Sequence, residues 1–464
     1  MKKSIRIGAG LGFYGDAWEP VLASIERGGV HYIASDHLAE LTLAILQKDL
    51  QRDSSLGYTR DIVPMLLRLW PAMQQRGVRF ICNAGGLNPG GAAHAVRAAF
   101  AAKGWKARVA VVTGDEVLQQ VGELAPAHMF SQAPFDTVRD RMAFANAYLG
   151  ARPIVSALQQ GADIVITGRV ADAALFLGPL VHEFNWNLGD GAPTATSSDL
   201  NRLAQGLAVG HLLECSGQGS GGNFGSLGAW KAIPDLAHIG YPIAEVDEDG
   251  NAVITKAPGT GGRINFDTVR QQLLYEVHNP HAYVSPDVVL DLSTVQLEDL
   301  GQDRVRMTGA TGHARTGELK VVGGYRDGFK AEVTWGFSWP DAHDKALAAV
   351  DMVKAQLADR HVPHDDLFVE FPGLNSAHGA LAPMPDAQAL ADLNEVWVRM
   401  VLRTKDKAAA DGFGRLFPWM GLSGPAYTCG FHGRHNTSEL LGIWPFLIDR
   451  AAVEAGVRVE LVQT

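Results

Sequence analysis

Glu214-Cys215-Ser216-Gly217-Gln218-Gly219-Ser220-Gly221-Gly222-Asn223-Phe224-Gly225 stands where the pattern of this 464-residue chain changes. Upstream, short apolar runs alternate with longer helical ones; downstream, strand-like runs follow each other closely. Its five glycines let the backbone approach a ligand closely or take positive φ. The stretch reads as the seam between two domains, residues 1–225 and 226–464, and as the wall of a site. Gln218 and Asn223 are its candidate substrate contacts. Cys215 reads either as a nucleophile, if a base lowers its pKa, or as an inert core thiol.

Working back from the seam, residues 5–7, 32–34, 79–82, 108–113 and 163–167 are apolar without clean alternation. Such runs fit a parallel sheet covered on both faces. With helices between them they predict a doubly wound α/β layer. Each later run ends in polar residues: Asp36, His37 and Glu40; Asn83 and Asn88; Thr113 and Asp115; Arg169 and Asp172. Ligands bind at the carboxyl ends of strands in open α/β sheets, so these clusters are expected to converge.

Working forward, residues 242–246 and 252–256 flank an Asp-Gly turn and predict a hairpin. Further strands are expected at 288–292, 295–297, 304–307 and 319–322. From residue 330 the order strand, helix, strand, strand, helix predicts a ferredoxin-like plait, with a closing strand at 457–461. The expected fold is thus α/β: a doubly wound, mostly parallel sheet followed by a β-rich, ferredoxin-like α+β half.

Acidic residues outnumber basic ones, 50 to 40, which disfavours nucleic-acid binding. Cys82, Cys215 and Cys429 are too few and too scattered for a disulfide framework or a zinc knuckle, and fit a reducing compartment. No run of eighteen apolar residues is present to span a membrane, and the N-terminus reads as a first strand rather than a leader. A cytoplasmic protein is expected, and a homo-oligomer on base rates.

Several groups carry candidate chemistry, each with a structural alternative. Gly8-x-Gly10-x-Gly12 with Asp36 mimics a dinucleotide fingerprint, though Phe13 replaces its last small residue; it also reads as a tight strand-to-helix turn. Asp36, His37, Glu40 and Asp172 are the candidate catalytic groups, for proton transfer or, through Asp36 and Asp172, a divalent metal ion. They read equally as a capped helix with an ion pair. Asn83 and Asn88 lie in a glycine-rich loop that suits a carboxylate or phosphate, or is merely tight. Asp115 and Arg169 join them as candidate substrate contacts. Lys256 and Arg263 bracket a flexible loop able to clamp a carboxylate or the phosphates of coenzyme A. Tyr427, His432, Arg434 and His435 mark a loop that would serve as a lid.

Residues 8–16 (GAGLGFYGD), 36–42 (DHLAELT), 83–89 (NAGGLNP), 166–172 (ITGRVAD), 254–263 (ITKAPGTGGR), 272–278 (QLLYEVH) and 324–329 (GYRDGF) together resemble the acyclic terpene utilisation AtuA family over almost the whole chain. That resemblance implies catabolism of branched carboxylic acids or their CoA thioesters, and no catalytic residue is carried over with it. The function expected is a lyase or hydratase on such a substrate. Two alternatives are an NAD(P)-dependent oxidoreductase and a non-catalytic acyl-CoA-binding subunit that assembles with a small partner protein.

Overall fold

The computed structural model describes residues 4–189, 195–225, 227–432 and 437–463. In the first part of the chain β1 (Ser4–Ala9), β2 (Tyr32–Ser35), β3 (Arg79–Cys82), β4 (Arg108–Thr113), β5 (Met142–Ala147) and β6 (Ile164–Thr167) alternate with α1 (Glu19–Arg27), α2 (Glu40–Arg52), α3 (Ile62–Arg76), α4 (Pro89–Ala102), α5 (Leu118–Leu124), α6 (Arg152–Gln159) and α7 (Ala174–Phe184). All but β5 pair in parallel, in the order β1-β2-β3-β6-β4. Ile33, Phe80, Ile81, Val109, Val112, Ile164 and Ile166 are fully buried, which explains why these runs carry no alternation. Local chemistry sets the helix ends. Asn88 caps α4 by accepting from Gly91 N (2.9 Å), and Pro89 follows it where a missing N–H costs nothing.

The chain then passes through α8 (Ser197–Leu213) and the seam. β7 (Pro242–Asp247) and β8 (Ala252–Lys256) form the expected hairpin. It joins the first sheet. β7 lies antiparallel to β1, with Ile5 opposite Val246 and Ile7 opposite Ala244, all fully buried. After α9 (Phe266–Leu274), β9 (Tyr283–Val284), β10 (Val289–Asp291), β11 (Gln296–Asp299), β12 (Val305–Thr308) and β13 (Thr311–His313) follow, and β12 and β11 extend the same edge. The result is one mixed ten-stranded sheet, closed on its other side by a strand from the C-terminus.

β14 (Glu318–Ser338) leads out of this unit, and α10 (Ala342–Asp359), β15 (Asp366–Glu370), α11 (Ala387–Ala391), β16 (Glu395–Thr404), α12 (Lys407–Phe413), β17 (Thr428–His432), β18 (Ser438–Asp449) and β19 (Arg458–Gln463) follow. The described residues divide into two compact units, 4–323 with 443–463, and 324–442. The sequence placed the boundary at residue 225. The difference arises because the hairpin after the seam buries its apolar residues against β1 and so belongs to the first core. β19, the expected closing strand, pairs antiparallel with β4 in that first unit.

The second unit runs β14, α10, β15, the short α11, β16, α12 and β17, with spatial order β15-β16-β14-β17 and antiparallel neighbours throughout. In β16, Val396, Val398, Met400 and Leu402 alternate inward onto Ala346, Val350, Val353 and Phe413. Arg399, on the opposite face, forks onto Glu332 (2.7 and 2.9 Å) and reaches Glu370. No helix among the described residues is long and apolar enough to cross a membrane.

Candidate active site

The carboxyl ends of β2 and β6 open onto a cavity of about 630 Å³ inside the first unit. That volume lies within the roughly 300–1,000 Å³ usual for ligand pockets. Asp36, Glu40, Arg169 and Asp172 all line it, so four of the residues picked from the strand-end clusters do meet. Tyr148, Glu214, Glu276, Tyr283, Glu318 and Lys320 add to its polar wall.

Arg169 is the buried cation of its wall. The side chain is 1% exposed. Its Nε donates to the Val170 carbonyl (2.8 Å), Nη1 to the Leu38 carbonyl (2.9 Å), and Nη2 to Asp172. The guanidinium carbon stands 4.4 Å from the centroid of the Tyr148 ring. Its backbone N–H donates to Asp115 (2.8 Å), a buried carboxylate that also accepts from Asn146 (2.8 Å). Burial pushes the Asp115 carboxyl up to about 6. Asp115 therefore holds the loop that carries Arg169 and does not line the cavity.

Asp36 is buried and accepts from Leu38 N (3.0 Å) and from the Asn83 amide. Burial raises its carboxyl, against the lowering pull of Arg169 and of these hydrogen bonds. Glu40 accepts from the Tyr148 hydroxyl (2.7 Å) and lies 3.3 Å from Lys320 Nζ. Partial burial pushes its carboxyl up, but Tyr148, its own backbone amide, Lys320 and Arg169 outweigh that and hold it at about 2.

Glu214 was not picked from the sequence. It sits at the end of α8, 5% exposed, with Oε1 2.9 Å from His211 Nδ1. Oε2 has no hydrogen-bond partner among the described residues. Burial raises this carboxyl, and the nearby Asp36 and Glu276 carboxylates raise it further, against the pull of His211. His211 is raised as well, by Glu214 against its own burial. For the pair we take the raised Glu214 carboxyl as the governing direction, because two further carboxylates favour retention of its proton. The available signal was a His-x-x-Glu spacing inside an otherwise apolar helical run, residues 207–215.

Other expectations fall elsewhere. His37 is fully buried below the cavity, between Ser35 Oγ (3.0 Å from Nε2) and Thr59 Oγ1 (3.2 Å from Nδ1). Asn83 braces this layer, accepting from His37 N (2.7 Å) while donating to Asp36. Asn88 is the helix cap already described. Gln218 and Asn223 line a neighbouring open groove, which shares Gly12, Cys215 and Tyr275 with the cavity. Gln218 donates to Gln272 (3.0 Å) there and accepts from Asn223 (3.2 Å). Lys256 is spent on structure, bound to Asp303 (3.0 Å) and the Thr260 carbonyl (2.9 Å). Arg263 lines neither space; its backbone N–H donates to Ser220 (2.8 Å). Burial, reinforced by Glu214, pushes the Cys215 thiol up to about 12, so it is not a ready nucleophile.

The first glycine turn is also occupied. Gly12 N donates to the Asp16 carboxylate (3.0 Å), where a dinucleotide would place phosphate. A Cβ on Gly10 would lie 2.4 Å from the Ser35 Cβ, and one on Gly12 3.0 Å from the Cys215 carbonyl carbon. These glycines serve the packing of the turn against β2 and the seam. Asp36 and Asp172 flank Arg169, and no group of three or more metal-ligating side chains is placed together among the described residues. Of the expected lid loop, Arg434 and His435 lie outside the described residues, as does the side chain of His432.

None of the curated proteins and none of the solved structures matches the chain. The family model of the acyclic terpene utilisation protein AtuA matches residues 5–459, nearly the whole chain, and the chain belongs to that family.

Proposed function

We propose that this chain is a hydratase-type lyase acting on the CoA thioester of a branched carboxylic acid. The family description supports acyclic terpene utilisation as its setting. The observation that carries the chemistry is Glu214: a buried carboxyl with a free oxygen, in the same cavity as Asp36 and the Arg169 guanidinium. Two carboxyls of raised pKa beside a fixed cation suit acid–base work on an acyl group.

Charge favours the thioester over the free acid. Arg169 and Lys320 are already paired with Asp172 and Glu40, and Asp36, Glu214, Glu276 and Glu318 add further acidic groups. A free carboxylate would meet repulsion on entry. A thioester carbonyl is neutral on entry and gains charge only during reaction, when Arg169 stabilises the enolate oxygen. In the hydration direction, ionised Asp36 takes a proton from water as its oxygen bonds to the β-carbon. The C=C electrons move toward the carbonyl, and the Glu214 carboxyl gives its proton to the α-carbon. Solvent restores both groups. The same reading takes the parallel strands as a doubly wound layer and the second unit as a ferredoxin-like plait, supported by the strand orders above.

The test is hydration of branched 2-enoyl-CoA thioesters by the purified chain and by Glu214→Gln. Loss of about 10²-fold or more in kcat is expected for that variant. Activity within twofold of the parent overturns the assignment of Glu214. Thioester binding without turnover by the parent chain overturns the lyase reading in favour of an acyl-CoA-binding subunit.

A further inference from the structure

A second, smaller cavity of about 230 Å³ shares Leu319 with the first. Its polar lining is Arg152, Ser156, Asp287, Arg315, Arg450 and Glu454. Arg152 donates from Nη2 to the Gly189 carbonyl (2.8 Å), and both carboxylates are in use as well. Asp287, 4% exposed, accepts the Ala151 N–H through both oxygens (2.9 and 3.1 Å) at the start of α6. Glu454 takes Arg450 Nη1 (2.9 Å) and lies 3.7 Å from Arg315 Nη1.

Arg450 is 8% exposed, and its Nε donates to the Thr316 carbonyl (3.0 Å). Its Nη2 is buried with no partner among the described residues. A buried charged donor without an acceptor is costly. The guanidinium of Arg315 is pushed below its ordinary range by burial and by the like charges of Arg450 and Arg152. Crowded like charges and an unmet donor thus line one cavity. Both are relieved by the same missing partner.

We infer that this cavity binds a small oxyanion, a phosphate or a short carboxylate. The guanidinium fork matches the paired oxygens of either. The volume, below the usual ligand range, excludes a coenzyme or a long acyl chain. The site is separate from the proposed acid–base groups. Asp287 follows directly on Ser285 and Pro286 of the main cavity wall, so the bound anion braces that wall.

Thermal unfolding of the full chain tests this, with inorganic phosphate or malonate titrated at constant ionic strength set by chloride. Tm is expected to rise with the logarithm of anion concentration. A rise with phosphate identifies a phosphate site, and a rise with malonate alone a carboxylate site. Arg315→Met should lose the rise. Ser156→Asp, which supplies a carboxylate from within, should raise Tm in chloride alone and remove the response to added anion. It decides the matter if Arg315→Met does not fold. No rise with either anion overturns the inference in favour of a water-filled cavity. An undiminished rise in Ser156→Asp overturns it by placing the anion elsewhere.

Discussion

Replacing Arg169 by methionine keeps most of the side-chain volume and removes the charge. The guanidinium meets two buried carbonyls, those of Val170 and Leu38, at 2.8 and 2.9 Å. Each left unmet costs about 1–3 kcal/mol. Loss of the contact over Tyr148 adds about 0.5–2 kcal/mol. The bond to Asp172 adds about 0–1 kcal/mol, because that carboxylate is 35% exposed and partly solvated. These contributions share one side chain and do not sum. Removing one partner of a buried charged network costs about 3–5 kcal/mol, and we expect a loss of that size. The loss should also depend on pH. Without Arg169, the buried Asp36 carboxyl has a pKa raised further above its unfolded value. A carboxyl shifted in that direction contributes stability at low pH that is lost as pH rises through its folded pKa. The deficit of Arg169→Met should therefore be larger at pH 8 than at pH 5. Urea unfolding of both proteins at the two pH values, followed by circular dichroism, gives the numbers. A deficit below about 1 kcal/mol, or one that shrinks as pH rises, refutes the view that Arg169 is a load shared by buried acceptors and Asp36.

Other expectations follow from the same geometry. The Asp115 carboxyl is raised from 3.8 to about 6, so parent stability should fall between those pH values. Asp115→Asn should flatten that fall in a series of Tm measurements from pH 3.5 to 8; an unchanged slope assigns it to another group. With Cys82 buried, Cys215 raised to about 12 and Cys429 exposed, a thiol reagent at pH 8 should modify Cys429 first. Labelling of Cys215 at a similar rate contradicts its assignment as an unreactive thiol. Lys256→Met should lower stability by about 1–3 kcal/mol through its lost buried contacts while leaving thioester affinity unchanged. A selective loss of affinity restores the anion-clamp role to Lys256.

The elements were legible wherever one local rule governs them. Strict alternation over residues 396–403 marks a strand because every second side chain enters one core. Asn88 before Pro89 marks a helix start through a contact three residues long. The strand-end clusters led to the cavity because carboxyl ends of parallel strands share an edge, and Asp36, Glu40, Arg169 and Asp172 line it together. His37 lay in the same cluster, yet its ring turns toward Ser35 and Thr59. Neighbouring residues at a strand end can point to opposite sides of the layer, and sequence alone does not say which faces the ligand.

The two cations Arg169 and Lys256 draw the line most clearly. By itself the sequence determined that each stands in a glycine-rich loop after a strand, because turn chemistry is local. Only the tertiary structure decided that Arg169 faces the cavity while Lys256 is consumed by Asp303, forty-seven residues onward. The seam followed the same division. Its glycines announced close backbone approach, but its neighbours came from the Gly8–Gly12 turn, more than two hundred residues earlier in the case of Ser216 Oγ and the Gly10 carbonyl (2.6 Å). Burial of Glu214, and hence its raised carboxyl, depends on that assembly. A residue type fixes what charge can be carried, whereas distant chain segments fix how much water remains to support it.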